Sequence, residues 1–431
     1  MIYLLSALIF PSIWIGETAV RFELVYSLWL ILAIILHKAV SKSTFRWHPI
    51  LTMYMFFLVT VALSTTLALV NDPSKGSMLQ LAVSFYGILR PLLVMFIFLN
   101  ISFDEMFPWR TLRAFVWASI PIAILSFGQT VGSSAALQVT LLGYTSPSRA
   151  PVFNLLKEHD TILRSTGVFE SPVFNAVYFL MVLTTVGFAL VTGVSALGNK
   201  WFLYTILGLA AVAGITTLST TFLLGAVLML LLLVFLLSYR YPKRFLQLVI
   251  SSLFIVSLFI IISWPYFTQQ PIFIGALNYQ IDKILSGSLF NTRYDPENGI
   301  FQKTYEAIQQ RPLLGWGLTQ SEGVFVGDSI YISIFYKSGI LGLNIFFLMI
   351  YVIFRHAWRS RNIAGLHGKF SWVILLWTFL LLNTGFGSPS FFIIRLQEWY
   401  WALVGMSLGI NFTLRKKNIM KHKPNNEGAA P

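Results

Sequence analysis

Long apolar stretches alternate with short polar connections along almost the whole chain. A transmembrane helix needs about 20 mostly apolar residues, and twelve stretches fit or approach that length. They lie near residues 2–16, 24–37, 49–70, 78–100, 114–131, 173–195, 201–217, 222–238, 245–267, 330–354, 370–386 and 399–412. The seventh and eighth form one hairpin joined by residues 218–221. The pattern predicts an all-α polytopic membrane protein with about 12 transmembrane helices.

Composition supports this prediction and excludes several other classes of protein. Of the 431 residues, 56% are hydrophobic and only 11% are charged, whereas a soluble domain carries about 25% charged residues. So little charge cannot cover the surface of a water-soluble protein of this size. The high hydrophobic content also excludes intrinsic disorder. Because the chain has no cysteine, disulfides, thiol catalysis and thiolate metal sites are excluded.

The formal net charge of +14 is distributed unevenly between the two sets of loops. If the N-terminus is inside, the inner loops and the C-terminal tail hold eighteen basic and three acidic residues. The outer loops then hold ten basic and thirteen acidic residues. Since basic residues concentrate in cytoplasmic loops, this predicts that both termini are inside. The charge is then a topology signal that indicates contact with membrane lipids and no nucleic-acid partner.

Two long outer loops separate the predicted spans into three groups. The divisions are 1–131 (helices 1–5), 132–172 (first long outer loop), 173–267 (helices 6–9), 268–329 (second long outer loop), 330–412 (helices 10–12) and 413–431 (basic tail). Most other loops are far shorter, and long loops between short ones are usually functional. We therefore expect the working site on the outer side.

The second long loop contains the pattern of an amphipathic helix over 296–310. Asp295 is a suitable N-cap for it. An apolar stripe at helical spacing follows, formed by Phe301, Tyr305 and Ile308. The loop is therefore predicted to be partly helical. The alternative is that this helix lies on the outer leaflet as an interfacial helix.

Four arginines fall in the two long outer loops, where basic residues are in the minority. They are Arg149, Arg164, Arg293 and Arg311. Arginine is the side chain best suited to bidentate recognition of phosphate, so the group predicts an anion site. The alternative is that each arginine is solvated or bound to lipid headgroups. After Arg311, the turn formed by Gly315, Trp316 and Gly317 predicts close approach of the backbone to another group.

Two further basic residues fall inside predicted spans. Arg90 precedes Pro91 in the fourth span, and Lys337 lies about two turns inside the tenth. Ionisable residues within a membrane are costly and are often functional. Each is therefore a candidate to contact an anionic substrate. The alternative for each is snorkelling to the interface or an internal ion pair.

Three stretches resemble the O-antigen polymerase and O-antigen ligase superfamily of bacterial envelope enzymes. The first is 164–175, with its Arg, Gly, aromatic, Pro and Asn residues; the others are 293–317 and 328–343. The twelve-span plan with a large loop before span ten is also similar. Two departures matter: Asp328 stands where the ligase branch has a His, and 219–222 lack an Arg that many members carry. The first departure favours the polymerase.

The resemblance implies a membrane-embedded glycosyltransferase that needs no metal or other cofactor. It would join oligosaccharide repeat units carried on undecaprenyl diphosphate and release undecaprenyl diphosphate, at the periplasmic face of the bacterial inner membrane. Its partners would be these lipid-linked oligosaccharides and, as is common in the family, a chain-length-determining co-polymerase. The alternatives are an O-antigen ligase that transfers glycan to lipid A-core and a flippase or other transporter of lipid-linked oligosaccharides.

With the loop arginines, the resemblance also suggests roles for individual residues. Contacts to the diphosphate are expected from Arg164, Arg293, Arg311, Arg90 and Lys337. The expected general base is, in order of preference, Asp328, Glu170 or His159. Contacts to the rest of the substrate are expected from Gly315, Trp316, Gly317 and Tyr331. For Asp328 the alternative role is to cap the tenth helix.

Overall fold

The computed structural model describes residues 1–15, 18–73, 77–144, 164–237, 271–288, 293–295, 299–319 and 323–421, with scattered residues between 242 and 257. The described part is helical, as predicted, apart from its connections and one small antiparallel ladder. The ladder pairs β1 (Ile13–Ile15) with β2 (Thr18–Val20) and sets Trp14 opposite Ala19.

The described helices occur in the following chain order. They are α1 (Ile2–Ile9), α2 (Phe22–Val40), α3 (Pro49–Asn71), α4 (Met78–Asn100), α5 (Phe107–Thr130), α6 (Ser134–Gly143), α7 (Pro172–Thr192), α8 (Lys200–Thr216), α9 (Thr220–Leu237), α10 (Pro271–Leu285), α11 (Gln302–Gln310), α12 (Ile330–Ser360), α13 (Leu366–Thr384) and α14 (Gln397–Lys421). Short 3-10 turns follow α7 at Ser195–Leu197 and α13 at Ser390–Phe392.

Local sequence signals set the two ends of α7. The helix begins at Pro172, and the Ser171 hydroxyl accepts a hydrogen bond from the Val173 N–H at 3.3 Å. It ends at Gly193, which has a left-handed φ of 68°. A serine N-cap, a proline in the first turn and a glycine after the last turn are the residues that these positions favour.

The centre of the bundle is α7. Its side chains are buried along almost the whole helix, and it packs against α5, α8, α9 and α13. Beside it, the Phe115 ring lies with its centroid 5.0 Å from the rings of Tyr178, Trp377 and Trp399. Aromatic pairs at this spacing stabilise a core beyond the burial of their area. The pairs α3–α12 and α4–α14 also make extensive contacts.

Six of the described helices are long and apolar enough to cross a membrane. They are α3, α4, α5, α7, α12 and α13. Shorter apolar helices cover Val25–Val40, Lys200–Thr216 and Thr220–Phe235. The prediction of a helical membrane protein is confirmed at this level. The count of about 12 spans and the inside position of both termini stay predictions.

The predicted first span, 2–16, is not one continuous helix. Helix α1 ends at Ile9, and Phe10 has an extended backbone with φ −67° and ψ 138°. Pro11 follows, and a residue before proline is disfavoured in the helical region. Eight residues of helix are only about 12 Å long, so α1 alone does not cross a membrane.

The predicted loop helix over 296–310 is shorter than expected and begins at Gln302. Asp295 does not cap it. Its carbonyl accepts the Gly299 N–H at 2.9 Å, in a turn that precedes the helix. The first long loop, predicted over 132–172, contains a further helix, α6. Residues 145–163, 296–298 and most of the predicted ninth span lie outside the described residues.

Helix α12 is broken at Gly339, where φ is 60° and ψ is −166°. The break frees main-chain carbonyls one turn before it. The Trp316 N–H donates to the Tyr336 carbonyl at 2.7 Å, and the Gly317 N–H donates to the Lys337 carbonyl at 3.0 Å. The Gly-Trp-Gly turn therefore satisfies groups that an unbroken helix would pair internally.

The residues just before this turn pair with the main chain of the helix beyond the break. The Ile340 N–H donates to the Pro312 carbonyl at 2.9 Å. This close approach explains both glycines, because a methyl group on Gly315 would overlap α12 backbone and one on Gly317 would overlap Thr65 of α3. Irregular backbone at membrane depth is tolerated where protein groups satisfy it, and α12 meets that condition.

Candidate functional site

The segment that starts at Arg164 is fastened to the end of α8. The Ser165 N–H donates to the Thr216 carbonyl at 3.1 Å, and the two hydroxyls of these residues lie 2.9 Å apart. The Arg164 Nε donates to the Thr217 carbonyl at 3.1 Å. These bonds hold Arg164 beside the hairpin between α8 and α9.

A buried glutamine and a buried asparagine fix the next turn. The Gln129 Oε1 accepts the N–H groups of Thr166 and Gly167, both at 2.9 Å. Asn175 donates to the Ser126 hydroxyl at 3.0 Å, and a methyl group on Gly167 would lie 2.6 Å from the Asn175 Oδ1. Sequence reasoning missed Gln129. An uncharged polar side chain inside an apolar helix is the pattern that could have identified Gln129 from the sequence.

Arg293 and Asp328 form an ion pair, with 3.3 Å between Nη2 and Oδ2. Both side chains are partly exposed, at 21% and 35%. The capping alternative for Asp328 is not what the structure shows, because the N-cap residue of α12 is Ser329. The Ile330 N–H instead donates to the carbonyls of Gly385 and Ser388 at the end of α13.

A cavity of about 260 Å³ opens beside this ion pair. It lies between the start of α9, the end of α13 and the residues before α11. Its lining residues are Thr220, Thr221, Leu224, Gly225, Leu228, Arg293, Tyr294, Asn383, Thr384, Phe386 and Gly387. One end of the cavity is therefore polar and cationic, and the wall formed by Leu224 and Leu228 of α9 is apolar.

Three charged residues lie close enough to influence one another electrostatically. They are called the cavity charges below, and they are Arg164, Arg293 and Asp328. The pKa of Arg164 is lowered by partial desolvation and then by the like charge of Arg293, while Asp328 raises it. Asp328 thus forms an ion pair with Arg293 and acts on Arg164 only at longer range. Burial also raises the pKa of Tyr294, whose hydroxyl donates to the Phe386 carbonyl.

No family model matches the chain, and no curated protein matches it. The geometry of the site is therefore the starting point for assigning a function. The structure brings together three residues that the sequence singled out in separate loops, since Arg164 comes from the first long loop and Arg293 and Asp328 come from the second. Positive charge in excess of the local carboxylate is the arrangement that suits an anion.

The Gly-Trp-Gly turn makes the close backbone approach that was predicted, but its neighbours are α3 and α12. Trp316 is 8% exposed, and its Nε1 donates to the Ala307 carbonyl at 2.7 Å. Tyr331 is similarly committed, since its hydroxyl donates to the Leu382 carbonyl at 2.5 Å. Neither residue lines the cavity. These hydrogen bonds give Trp316 and Tyr331 structural roles.

Arg311 and Lys337 also lie away from the cavity lining. The Arg311 guanidinium lies 4.2 Å from the centre of the Trp316 ring, as a cation–π contact. Lys337 is half-buried beside the break in α12, and its ammonium group has no hydrogen bond or ion pair within the described residues. The stacking of Arg311 on Trp316 gives it a packing role that the sequence did not suggest.

Arg90 and Glu170 belong to a separate group, called the buried charge network below. It contains Arg21, Glu23, Arg90, Glu170 and Glu398. The Arg90 Nη1 lies 2.6 Å from Glu398 and 3.8 Å from Glu23. The Arg21 guanidinium lies 3.7 Å from Glu23 and 3.4 Å from Glu170. For Arg90 the structure therefore favours the internal ion pair over the predicted substrate contact. His159 lies outside the described residues.

Several cavity residues were not anticipated from the sequence. Thr220 and Thr221 were noted only as a departure from a family pattern, and Gly387 carried no signal at all. Tyr294 directly follows Arg293 in the sequence, and this adjacency is the pattern that could have identified it. A cavity built from three separate segments depends on tertiary packing, which a local sequence pattern does not show.

Proposed function

We propose that this protein is a membrane glycosyltransferase that polymerises oligosaccharide repeat units carried on undecaprenyl diphosphate. In this proposal the cavity beside Arg293 receives the diphosphate of the donor lipid. The resemblance of three sequence stretches to the O-antigen polymerase and ligase superfamily supplies the substrate class. The geometry of the cavity supplies an independent physical reason for an amphipathic, anionic ligand.

One observation carries the proposal: the cavity beside Arg293 is cationic at one end and continues into an apolar groove along Leu224 and Leu228 of α9. A second cavity between α9 and α13 shares Gly225, Leu228 and Asn383 with the first, but at about 10 Å³ it is too small to hold a hydrocarbon chain. A charged head beside Arg293 and the first part of a hydrocarbon tail along the α9 groove fit the larger cavity. Polar groups at one end of a mostly apolar pocket fix the orientation of a ligand.

The cavity charges match the chemistry that this transfer requires. An acceptor sugar hydroxyl attacks the anomeric carbon of the donor, a new C–O bond forms, and the bond to the diphosphate oxygen breaks. Undecaprenyl diphosphate leaves with the bonding electrons, and Arg164 and Arg293 stabilise its growing negative charge. Asp328 takes the proton of the attacking hydroxyl as general base.

The proposal includes the topology derived from the loop charges. With about 12 spans and both termini inside, the cavity charges face the periplasm, where lipid-linked repeat units are presented. The described helices support part of this plan, because six of them are long and apolar enough to cross a membrane. Fusing a reporter enzyme after residue 320 tests the orientation, with a fusion after residue 362 as the opposite-side control.

The decisive experiment is polymerisation by the purified protein in vesicles that contain lipid-linked repeat units. We expect products with multiples of the repeat unit and release of undecaprenyl diphosphate. The matched negative control is the Arg293→Ala variant at equal protein level. Movement of intact substrate across the vesicle without new glycosidic bonds would refute a polymerase. Transfer only to added lipid A-core would identify a ligase instead.

The buried charge network favours a second candidate, a flippase for the same lipid-linked oligosaccharides. Arg90 lies within α4 and Glu398 in the first turn of α14, and both are almost completely buried. Ionisable residues inside the helix bundle are a common feature of transporters. In the vesicle assay, loss of substrate movement in Arg90→Lys, with normal protein stability, would support this candidate.

A further inference from the structure

The first turn of α9 presents two threonines to the cavity. Thr220 is 9% exposed, and neither it nor Thr221 makes a side-chain hydrogen bond within the described residues. Neither hydroxyl oxygen is sealed off from the cavity, so each is available to donate a hydrogen bond to a bound group. Two free hydroxyls on the lining of a cationic cavity therefore point to a ligand that accepts hydrogen bonds.

Gly387 leaves open the space that these groups share. A methyl group on Gly387 would lie 3.0 Å from the Arg293 Nη1 and 3.1 Å from the Thr221 Oγ1. The guanidinium group and the hydroxyl thus face the same side of Gly387. Any side chain at this position would occupy the space between them. Glycine here keeps a small, strongly hydrogen-bonding niche accessible from the cavity.

The backbone of α9 adds to the positive potential at this point. The helix is 18 residues long and begins at Thr220. The N–H groups of Phe222 and Leu223 bind the Ser219 carbonyl at 3.0 and 3.2 Å, so the preceding hairpin is closed. Because Thr220 and Thr221 of this first turn line the cavity, the positive end of the helix dipole lies beside it. Anions are stabilised at such helix starts.

We infer that the Thr221 hydroxyl, with the first turn of α9 and Arg293, binds a phosphate oxygen of an isoprenoid diphosphate. This inference rests on the proposed function, and it adds a hydroxyl and a helix terminus to the two arginines. Thr220 supplies the neighbouring hydroxyl, and Gly387 keeps the niche open. Thr221 is thereby assigned as a ligand-binding residue that contacts the diphosphate and not the hydrocarbon chain.

The test measures binding of farnesyl diphosphate and of farnesol to the full-length protein in detergent. The variants are Thr221→Val, which keeps the shape of the side chain, and Thr221→Ser, which keeps the hydroxyl. Thr205→Val is the matched control, because Thr205 is exposed on α8 and its hydroxyl binds the Trp201 carbonyl. Gly387→Ala fills the niche while leaving residue 221 a threonine.

We expect Thr221→Val to weaken farnesyl diphosphate binding by about tenfold, as loss of a hydrogen bond to a charged group does. Farnesol binding should not change in this variant. Thr221→Ser and Thr205→Val should bind farnesyl diphosphate as the natural protein does, and Gly387→Ala should bind it more weakly.

The outcomes separate the two proposals. If the natural protein prefers farnesyl diphosphate over farnesol but Thr221→Val binds both normally, the role of Thr221 is refuted and the proposed function stands. If Thr221→Val loses farnesol and farnesyl diphosphate equally, the residue shapes the groove and does not bind phosphate. If the natural protein shows no preference for the diphosphate, both proposals are overturned.

Discussion

Two groups of charged residues in this protein differ in their exposure and their charge balance. In the buried charge network Arg90 and Glu398 are 8% and 0% exposed and bind each other. Among the cavity charges, Arg293 pairs with Asp328 at 3.3 Å and lines the cavity, while Arg164 is exposed and lies within electrostatic range of both. Charge that is paired and enclosed holds helices together, whereas charge in excess beside an opening is available to a ligand.

Several buried polar atoms in and beside the buried charge network lack hydrogen bonds. Within the described residues, the Arg90 Nε, the Glu23 Oε1, the Glu398 Oε2 and the Tyr3 hydroxyl have no hydrogen bond. An incompletely satisfied buried network depends strongly on each ion pair that it does make. We therefore expect substitutions there to change stability first, and substitutions at the cavity to change activity first.

The largest expected effect is at Arg90. Arg90→Ala leaves Glu398 buried without its 2.6 Å partner, which we expect to lower the free energy of unfolding by about 3–5 kcal/mol. The measurement is thermal unfolding of the purified protein in detergent. Arg293→Ala is the matched control and should unfold close to the natural temperature. An Arg90→Ala protein of unchanged stability would break the distinction drawn between the two groups.

Arg293 tests the cavity side of the comparison. Arg293→Ala should reduce polymerisation by about 10²–10³-fold, the usual effect of removing one preorganised group that stabilises developing negative charge. Arg293→Lys should recover only part of the activity, because lysine cannot make bidentate contacts. The readout is the rate of chain lengthening in vesicles at equal protein level. Full activity in Arg293→Lys would argue for a diffuse charge effect.

Substitution of Asp328 distinguishes two roles for this residue, general base and ion-pair partner of Arg293. Asp328→Asn keeps the size of the side chain but removes its ability to take a proton, so the rate should fall by at least about a hundredfold. The melting temperature should change little, because the ion pair is partly exposed. Glu170→Gln is the comparison variant and should remain active. Normal turnover in Asp328→Asn would require another base.

Substitution of Gly317, which packs against α3 beside the break in α12, should have a smaller effect on stability. Gly317 and Gly132 both have positive φ, at 68° and 71°, but only Gly317 lies against other backbone. Gly317→Ala should therefore cost about 1–3 kcal/mol more than Gly132→Ala, the range observed when a packed site is overfilled. Thermal unfolding of the two variants measures the difference. Equal losses would show that backbone conformation alone explains these glycines.

The smallest expected effect is at Arg311. The sequence alone places Arg311 with the diphosphate ligands, and its loss would then abolish polymer. The structure instead stacks it on Trp316, so Arg311→Ala should cost about 0.5–1 kcal/mol of stability and leave most activity. Comparing the initial rates of Arg311→Ala and Arg293→Ala decides between these two views.

Much of the helical plan could be predicted because its signals are local. The start of α7 depends on Ser171 and Pro172, and its burial follows from continuous apolar composition. The end of α1 was equally local, since Pro11 follows an extended Phe10, but the apolar content of 2–16 concealed it. Hydrophobicity identifies lipid-compatible segments and does not show where the backbone stops being helical.

The site was predictable only in part. The sequence marks Arg164, Arg293 and Asp328 as unusual charges in long outer loops. Arg293 and Asp328 form an ion pair, and Arg164 lies within electrostatic range of both. The partner of Arg90 was not predictable, since Glu398 lies 308 residues further along the chain. A charge pattern can show that a residue needs a partner, but tertiary packing determines which partner it finds.

The broken helix has a consequence for how its stability is distributed. Residues 312–317 lie outside α12 but supply the main-chain groups that pair with it on both sides of Gly339. The helix cannot complete its main-chain hydrogen bonds around Gly339 unless this segment is docked against it. Loosening of the segment would leave unpaired N–H and C=O groups in the middle of α12, so opening of the loop and fraying of the helix should occur together.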